Sequence, residues 1–378
     1  MKVRRGIACF SLWLLGCMSP DGGSINSPDG RQGPTDAAAE QAVSAGGSDA
    51  QNNEASDVAI PTSDGQANDQ TAETVPASDG LAPAGGADGS ADRSLSPPGS
   101  DRLNCDPGSE GNGTHDLTAG LQADPPEWRL AAGVTPGTLS ATASFASTIY
   151  GQHFPYRVYA SANVQKGRPA VFMTFADGGE YVSGFHTPTV LDNLTASGEV
   201  PPAVVLFISP PSDGDRVKTY DPPTDKYSRF LLQEIIPAVI DPMFTISKDP
   251  GAWATGGHSA SAEQDWTVLW LTDRFHKFLG HNSSFGAAPT YGVDWPKTIA
   301  AAPMRDLRVS LVAAAVGRDL VDQRGDWTLI NQAVAKALDG KGNAYRMIIG
   351  PGGHGGPASQ RDFPTALRWV FRGCKFAN

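Results

Sequence analysis

From residue 104 onward, short unbroken apolar runs alternate with stretches in which apolar residues recur three and four positions apart. The runs are Pro169 to Phe175 (PAVFMTF), Ala203 to Ser209 (AVVLFIS), Val309 to Val316 (VSLVAAAV) and Tyr345 to Ile349 (YRMII), each followed by Gly or Pro within a few residues. Apolar runs bounded by turn residues predict strands buried on both faces. The helical patterns cover Thr189 to Ala196, Tyr227 to Val239, Ser261 to Phe278, Trp327 to Leu338 and Phe363 to Arg372. Thr138 to Ala160 reads as adjacent extended segments around a turn near Gly151. The alternation predicts an α/β fold, a mainly parallel sheet with helices on both faces. Reactive groups in such sheets lie just beyond the carboxyl ends of the strands. Any catalytic residue should therefore follow directly on an apolar run.

Residues 18–103 break this pattern. They contain no aromatic residue and no Cys, and consist largely of Gly, Ala, Ser, Asp, Pro, Gln and Asn. A segment so poor in apolar surface cannot offset the entropy of ordering, so 18–103 is expected to be a disordered linker before a domain at 104–378. The linker holds fourteen Asp and Glu against three Arg, a net of -11, equal to the formal charge of the whole chain. The acidity is thus a linker property. The near-neutral domain, without clustered Lys or Arg, argues against a nucleic-acid partner.

Residues 1–17 read as a targeting segment. Lys2, Arg4 and Arg5 precede an apolar run, Ile7 to Leu15, that is too short to span a bilayer as a mature helix. It ends in Leu14-Leu15-Gly16-Cys17, which resembles a bacterial lipobox, with Cys17 as the lipidated residue; an ordinary secretory signal is the alternative. Met18-Ser19 supplies no Asp after the Cys, which by resemblance to enterobacterial sorting favours the outer membrane. Contact with the membrane is then through the N-terminal lipid only. Cys9 would leave with the signal, so Cys105 and Cys374 remain, one at each end of the domain. In an exported protein this pair predicts a disulfide, with two free buried thiols as the alternative.

The chemistry centres on Thr255-Gly256-Gly257-His258-Ser259-Ala260-Ser261, where Ser259 stands among small residues ahead of an apolar-periodic run. A Ser hydroxyl is a weak nucleophile that needs an adjacent base. His354, in the Gly-rich loop after Tyr345 to Ile349, is the candidate base. Asp319, after Val309 to Val316, is the candidate acid that orients it; Asp322 is the runner-up, and Asp326 suits a helix cap before Trp327. The oxyanion would be met by the backbone N–H of Ala260 and by Gly178 or Gly179, which the sequence leaves open. Trp266, Tyr181 and Tyr220 are candidates for either cleft or core.

The order Ser259, Asp319, His354 is that of the α/β-hydrolases, whose G-x-S-x-G turn is matched here except at Ser261. Residues 135–373 resemble the esterase family of that fold which includes enterochelin esterases, feruloyl esterases and esterase D. The resemblance rests on PAVFMTFADGGEYV, TVLDNL, YDPPTDKYSRFLLQEIIPAV, GGHSAS, HNSSFG, GRDLVDQRGDWTLINQAVAKAL and GPGGHGG. Where relatives read G-H-S-S-G-G, this chain reads Gly257-His258-Ser259-Ala260-Ser261-Ala262, and Gly317-Arg318-Asp319 is one residue shorter than the family's Gly-x-x-Asp. The resemblance implies a carboxylic-ester hydrolase acting on a small-molecule or polysaccharide-linked ester, without a cofactor. Acyl transfer to another alcohol and non-catalytic ligand binding are the alternatives. No His or Cys pair has metal-ligand spacing, and no Gly-rich segment leads into Lys-Ser or Lys-Thr.

Overall fold

A computed structural model of the chain describes residues 101–377, apart from 107, 212, 213, 215 and 356. The targeting segment, Cys17 and residues 18–100 of the expected linker lie outside the described residues.

Ten strands form one sheet: β1 (Gly113–Asp116), β2 (Thr138–Leu139), β3 (Ala143–Ser147), β4 (Gln152–Ala160), β5 (Val171–Ala176), β6 (Ala203–Ile208), β7 (Trp253–His258), β8 (Lys277–His281), β9 (Arg308–Ala314) and β10 (Ala344–Gly350). Their spatial order is β1-β10-β9-β8-β7-β5-β6-β4-β2, with β3 also paired to β4. Neighbours from β1 to β6 run parallel, whereas β4 is antiparallel to β6 and carries β2 and β3 antiparallel to itself. The strands β5 and β6 are buried at every position, as expected of central strands covered on both sides.

The crossovers explain the two helical layers. The chain steps from β5 outward to β6 through α1 (Gly178–Ser183) and α2 (Thr187–Ala196). It then returns and steps the opposite way through β7, β8, β9 and β10, using α3 (Arg216–Tyr220), α4 (Lys226–Arg229), α5 (Ala260–Leu271), α6 (Trp295–Ala301) and α7 (Trp327–Gly340). Right-handed crossovers in opposite directions put their helices on opposite faces. The final helix α8 (Pro357–Val370) packs with α2, while α3 and α4 pack on α5 and α6 packs on α7.

Three details depart from the sequence pattern. The expected helix Ser261 to Phe278 is α5 followed by a central strand, β8. That strand is buried throughout but begins and ends with Lys277 and His281, so it offers no continuous apolar run. Both polar ends have partners: Lys277 Nζ donates to the Gly251 carbonyl, and His281 Nδ1 lies 2.7 Å from the Tyr181 hydroxyl. The stretch Tyr227 to Val239 is α4 continued by a wider π-type helix over Phe230–Ile240, with Pro237 inside it. Leu103, counted with the linker by composition, is buried and pairs with Phe376.

Cys105 and Cys374 form a disulfide across 269 residues of chain. No helix among the described residues is long and apolar enough to cross a membrane.

Candidate active site

The sharp turn between β7 and α5 presents Ser259. Its backbone has φ 62° and ψ -124°, a conformation that L residues adopt only where the surroundings impose it. Four hydrogen bonds do so. Ser259 N donates to His281 O at 2.9 Å, and its carbonyl accepts from Ala262 N, Glu263 N and Ser284 N at 3.1, 3.3 and 3.2 Å. Gly257 makes the tightness possible: a Cβ there would lie 2.4 Å from the Ser261 carbonyl carbon and 2.5 Å from Ala262 N. Ser261, which replaces the usual Gly, is accommodated by hydrogen bonds. Its hydroxyl donates to His258 O at 2.8 Å and accepts from His258 N at 2.9 Å, closing the turn from inside. The substitution therefore adds two local bonds rather than a clash.

His354 and Asp319 converge on this turn from neighbouring strand ends. His354 lies in the loop after β10, with Nε2 2.9 Å from Ser259 Oγ and Nδ1 2.7 Å from Asp319 Oδ1. These partners assign the tautomer: an ionised carboxylate can only accept, so Nδ1 carries the proton and Nε2 is free to accept from the Ser259 hydroxyl. Asp319, in the loop after β9, has a fully buried side chain, and its Oδ1 also accepts from Leu320 N at 2.7 Å. The indole of Trp327 meets the His354 ring edge-on, with centroids 5.3 Å apart. Ser259 itself is half-buried.

The competing acids are engaged elsewhere. Asp322 binds the Arg324 guanidinium, and Asp326 caps α7 by accepting from Thr328 N and Leu329 N. Trp266, Tyr181 and Tyr220 are fully buried core residues, not cleft walls. Among the described residues, no group of three His, Cys, Asp or Glu side chains is gathered that could hold a metal ion.

Ala260 begins α5 immediately after Ser259, and Gly178 and Gly179 begin α1, one residue after the end of β5. Gly178 cannot take a side chain, since a Cβ would fall 2.6 Å from the Phe207 and Ile208 backbone; Gly179 meets only Ser209 Oγ, at 3.8 Å. Two charged groups beside these glycines were not singled out from sequence. Glu180 binds His258 Nδ1 at 3.0 Å, and Arg216 forks onto Asp177. Burial disfavours ionisation of Glu180. The His258 hydrogen bond and the nearby Arg216 guanidinium outweigh it and hold the carboxyl below its usual range. The position of Glu180 directly after the glycine pair was a usable signal; Arg216 opens α3 after a Pro-, Ser- and Asp-rich stretch with no pattern to mark it.

A mainly parallel sheet, a strained strand-to-helix turn bearing Ser, and Asp and His in the loops after β9 and β10 make this an α/β-hydrolase fold. Solved structures agree. The enterobactin esterase FES from Shigella flexneri superposes with TM-score 0.53 at 18% identity, over 65% of this chain and 62% of that one. A ferulic acid esterase superposes with TM-score 0.50 at 15% identity, over 62% of this chain and 98% of that one. The enterobactin esterase from Salmonella typhimurium gives TM-score 0.51 at 18% identity, over 65% and 61%. The chain thus spans less than two thirds of the length of the enterobactin esterases it resembles. No protein-family model matches the chain, and no curated protein matches it.

Proposed function

We propose that this protein is a serine ester hydrolase working through Ser259, His354 and Asp319, tethered at the bacterial envelope by lipid on Cys17. The observation that carries the catalytic reading is the unbroken hydrogen-bond relay Ser259–His354–Asp319 at the carboxyl ends of three parallel strands. In the first step Ser259 Oγ attacks the ester carbonyl while its proton passes to His354 Nε2. The resulting imidazolium is stabilised by the Asp319 carboxylate. Negative charge on the carbonyl oxygen is met by the Ala260 N–H and by the backbone of Gly178 or Gly179. His354 then protonates the leaving alcohol, and water activated by the same imidazole releases the acid from the acyl-enzyme.

The substrate is a small-molecule or polysaccharide-linked ester. The solved structures it resembles include an enterobactin esterase and a ferulic acid esterase, so enterobactin and a feruloyl ester belong in the test panel beside p-nitrophenyl esters. Export to an oxidising compartment is supported by the Cys105–Cys374 disulfide. Ser259→Ala should abolish turnover, and a fluorophosphonate probe should label Ser259. Full activity in S259A, or a Ser259 that resists the probe in an active preparation, would sink the catalytic reading. Incorporation of labelled palmitate into the full chain but not into Cys17→Ser tests the tether.

A further inference from the structure

The two acidic residues that bracket the glycine pair are both tied to one residue, His258, which immediately precedes the nucleophile. Asp177, ahead of Gly178, adopts φ 57° and gives its carboxylate to Arg216, whose Nε lies 2.9 Å and 3.1 Å from the two oxygens. The same guanidinium reaches on to the His258 carbonyl, at 3.2 Å. Glu180, after Gly179, holds the other end of His258, with Oε1 3.0 Å from Nδ1. One brace thus grips the backbone of His258 and the other its ring, and both end on the segment 177–180. Arg216 is itself held by that segment and by its own helix. Tyr220, one turn along α3, sits under the guanidinium at 5.6 Å and accepts from Asp177 N at 3.4 Å. His258 in turn stacks on the His354 ring, with centroids 5.4 Å apart.

We propose that Arg216 and Glu180 are positioning residues that set the spacing between the glycine pair and the Ser259 turn. They thereby align the two halves of the oxyanion site. This inference rests on the esterase reading above. The physical reason is that the N–H donors sit on two separate elements, α5 and α1, with no covalent link shorter than the whole crossover between them. Donors on independent elements drift relative to each other unless something spans the gap, and a displacement of about 1 Å costs roughly 100-fold in rate. A guanidinium suits the span because its planar fork can serve a carboxylate on one side and a carbonyl on the other; an ammonium offers one point of attachment. The braces touch neither the hydroxyl of Ser259 nor any group that takes up a proton in the reaction, so their loss should weaken transition-state stabilisation and leave substrate binding in place.

The test uses the native chain on a p-nitrophenyl ester it turns over. Arg216→Ala should lower kcat about 10- to 100-fold, with KM within about twofold, since part of one oxyanion contact is lost. Ethylguanidinium added to the medium should restore part of that loss, because the Arg216 side chain is 37% exposed and its site open to a small solute. Glu180→Ala should show the same split between kcat and KM, and the double variant should lose less than the product of the two, since both braces oppose one displacement. A kcat within twofold of native in R216A and E180A would overturn the proposal, as would a loss carried by KM alone. Should R216A fail to fold, Arg216→Lys decides: full kcat there overturns the brace, and a reduced kcat at native KM supports it. A native chain whose turnover is unaffected by S259A refutes the esterase mechanism itself. A Ser259-dependent chain indifferent to R216A refutes only the brace.

Discussion

Replacing Asp319 with Asn removes one charge while keeping the shape of the side chain, and the structure specifies which way the amide will turn. Asp319 Oδ1 accepts from two donors, His354 Nδ1–H and Leu320 N–H, each at 2.7 Å, whereas buried Oδ2 has no hydrogen-bond partner among the described residues. With the amide oxygen at the Oδ1 position, Asn keeps both bonds and leaves its NH₂ unpaired. With the NH₂ there, it faces the Leu320 N–H donor to donor and leaves that backbone group unsatisfied as well, at a further cost of about 1–3 kcal/mol. The oxygen-in orientation should win, so His354 keeps the tautomer with Nε2 free to accept from Ser259. What is lost is the carboxylate's attraction for the imidazolium, about 4 kcal/mol for unit charges 4 Å apart at an effective dielectric of 20. That corresponds to roughly a 1,000-fold fall in kcat. A flipped tautomer would deepen the loss to about 10,000-fold. Steady-state kinetics on a p-nitrophenyl ester measure the fall, and a low-field proton resonance from His354 Nδ1 reports the tautomer. A loss of less than tenfold would refute the role of Asp319. A loss near 10,000-fold with the Nδ1 resonance gone would refute the argument that Leu320 N–H orients the amide. Asp322→Asn, whose carboxylate serves Arg324, should remain within about twofold of native.

Gly257→Ala should abolish measurable turnover, because its Cβ would fall 2.4–2.5 Å from the backbone of Ser261 and Ala262 and force the Ser259 turn open; activity within tenfold of native would contradict the steric argument. Breaking the Cys105–Cys374 bond by a double Ser substitution frees a crosslink across 269 residues, worth roughly 5 kcal/mol in the chain-entropy model. Thermal unfolding should show a Tm lower by several degrees, with kcat unchanged, since the bond lies at the end of the sheet opposite Ser259; an unchanged Tm would count against it. Lys277 is buried, and burial, aided by Arg308, draws its pKa from 10.5 to about 7. The unfolded chain therefore binds more protons between those values, so stability should rise with pH by roughly 2 kcal/mol from pH 7 to pH 9. Urea unfolding across that window should show the rise in the native protein and a flatter profile in Lys277→Met; parallel profiles would refute it.

Much of this protein was legible in its sequence because the relevant signals are local. Apolar runs closed by Gly or Pro mark β5, β6, β9 and β10, since a strand buried on both faces has no room for polar alternation. Ser259, Asp319 and His354 each stand just after a strand because that is where a parallel sheet opens its crevice, and chain order carries that information directly. Only the tertiary structure decided what depends on distant partners. The strand β8 hides behind Lys277 and His281, whose burial is tolerated because Gly251 and Tyr181 satisfy them. Asp319 prevails over Asp322 because a three-residue difference along a loop selects between His354 and Arg324. Ser261 fits where relatives carry Gly because its hydroxyl closes on the His258 backbone, a bond that exists only once the turn has formed. Arg216 left no mark in the pattern and Glu180 only its place after the glycine pair, since what distinguishes both is reaching His258 from 42 and 78 residues away. Residue type and spacing thus determined the elements and the candidate chemistry, while the selection among like residues was made by contacts that folding alone brings within hydrogen-bond range.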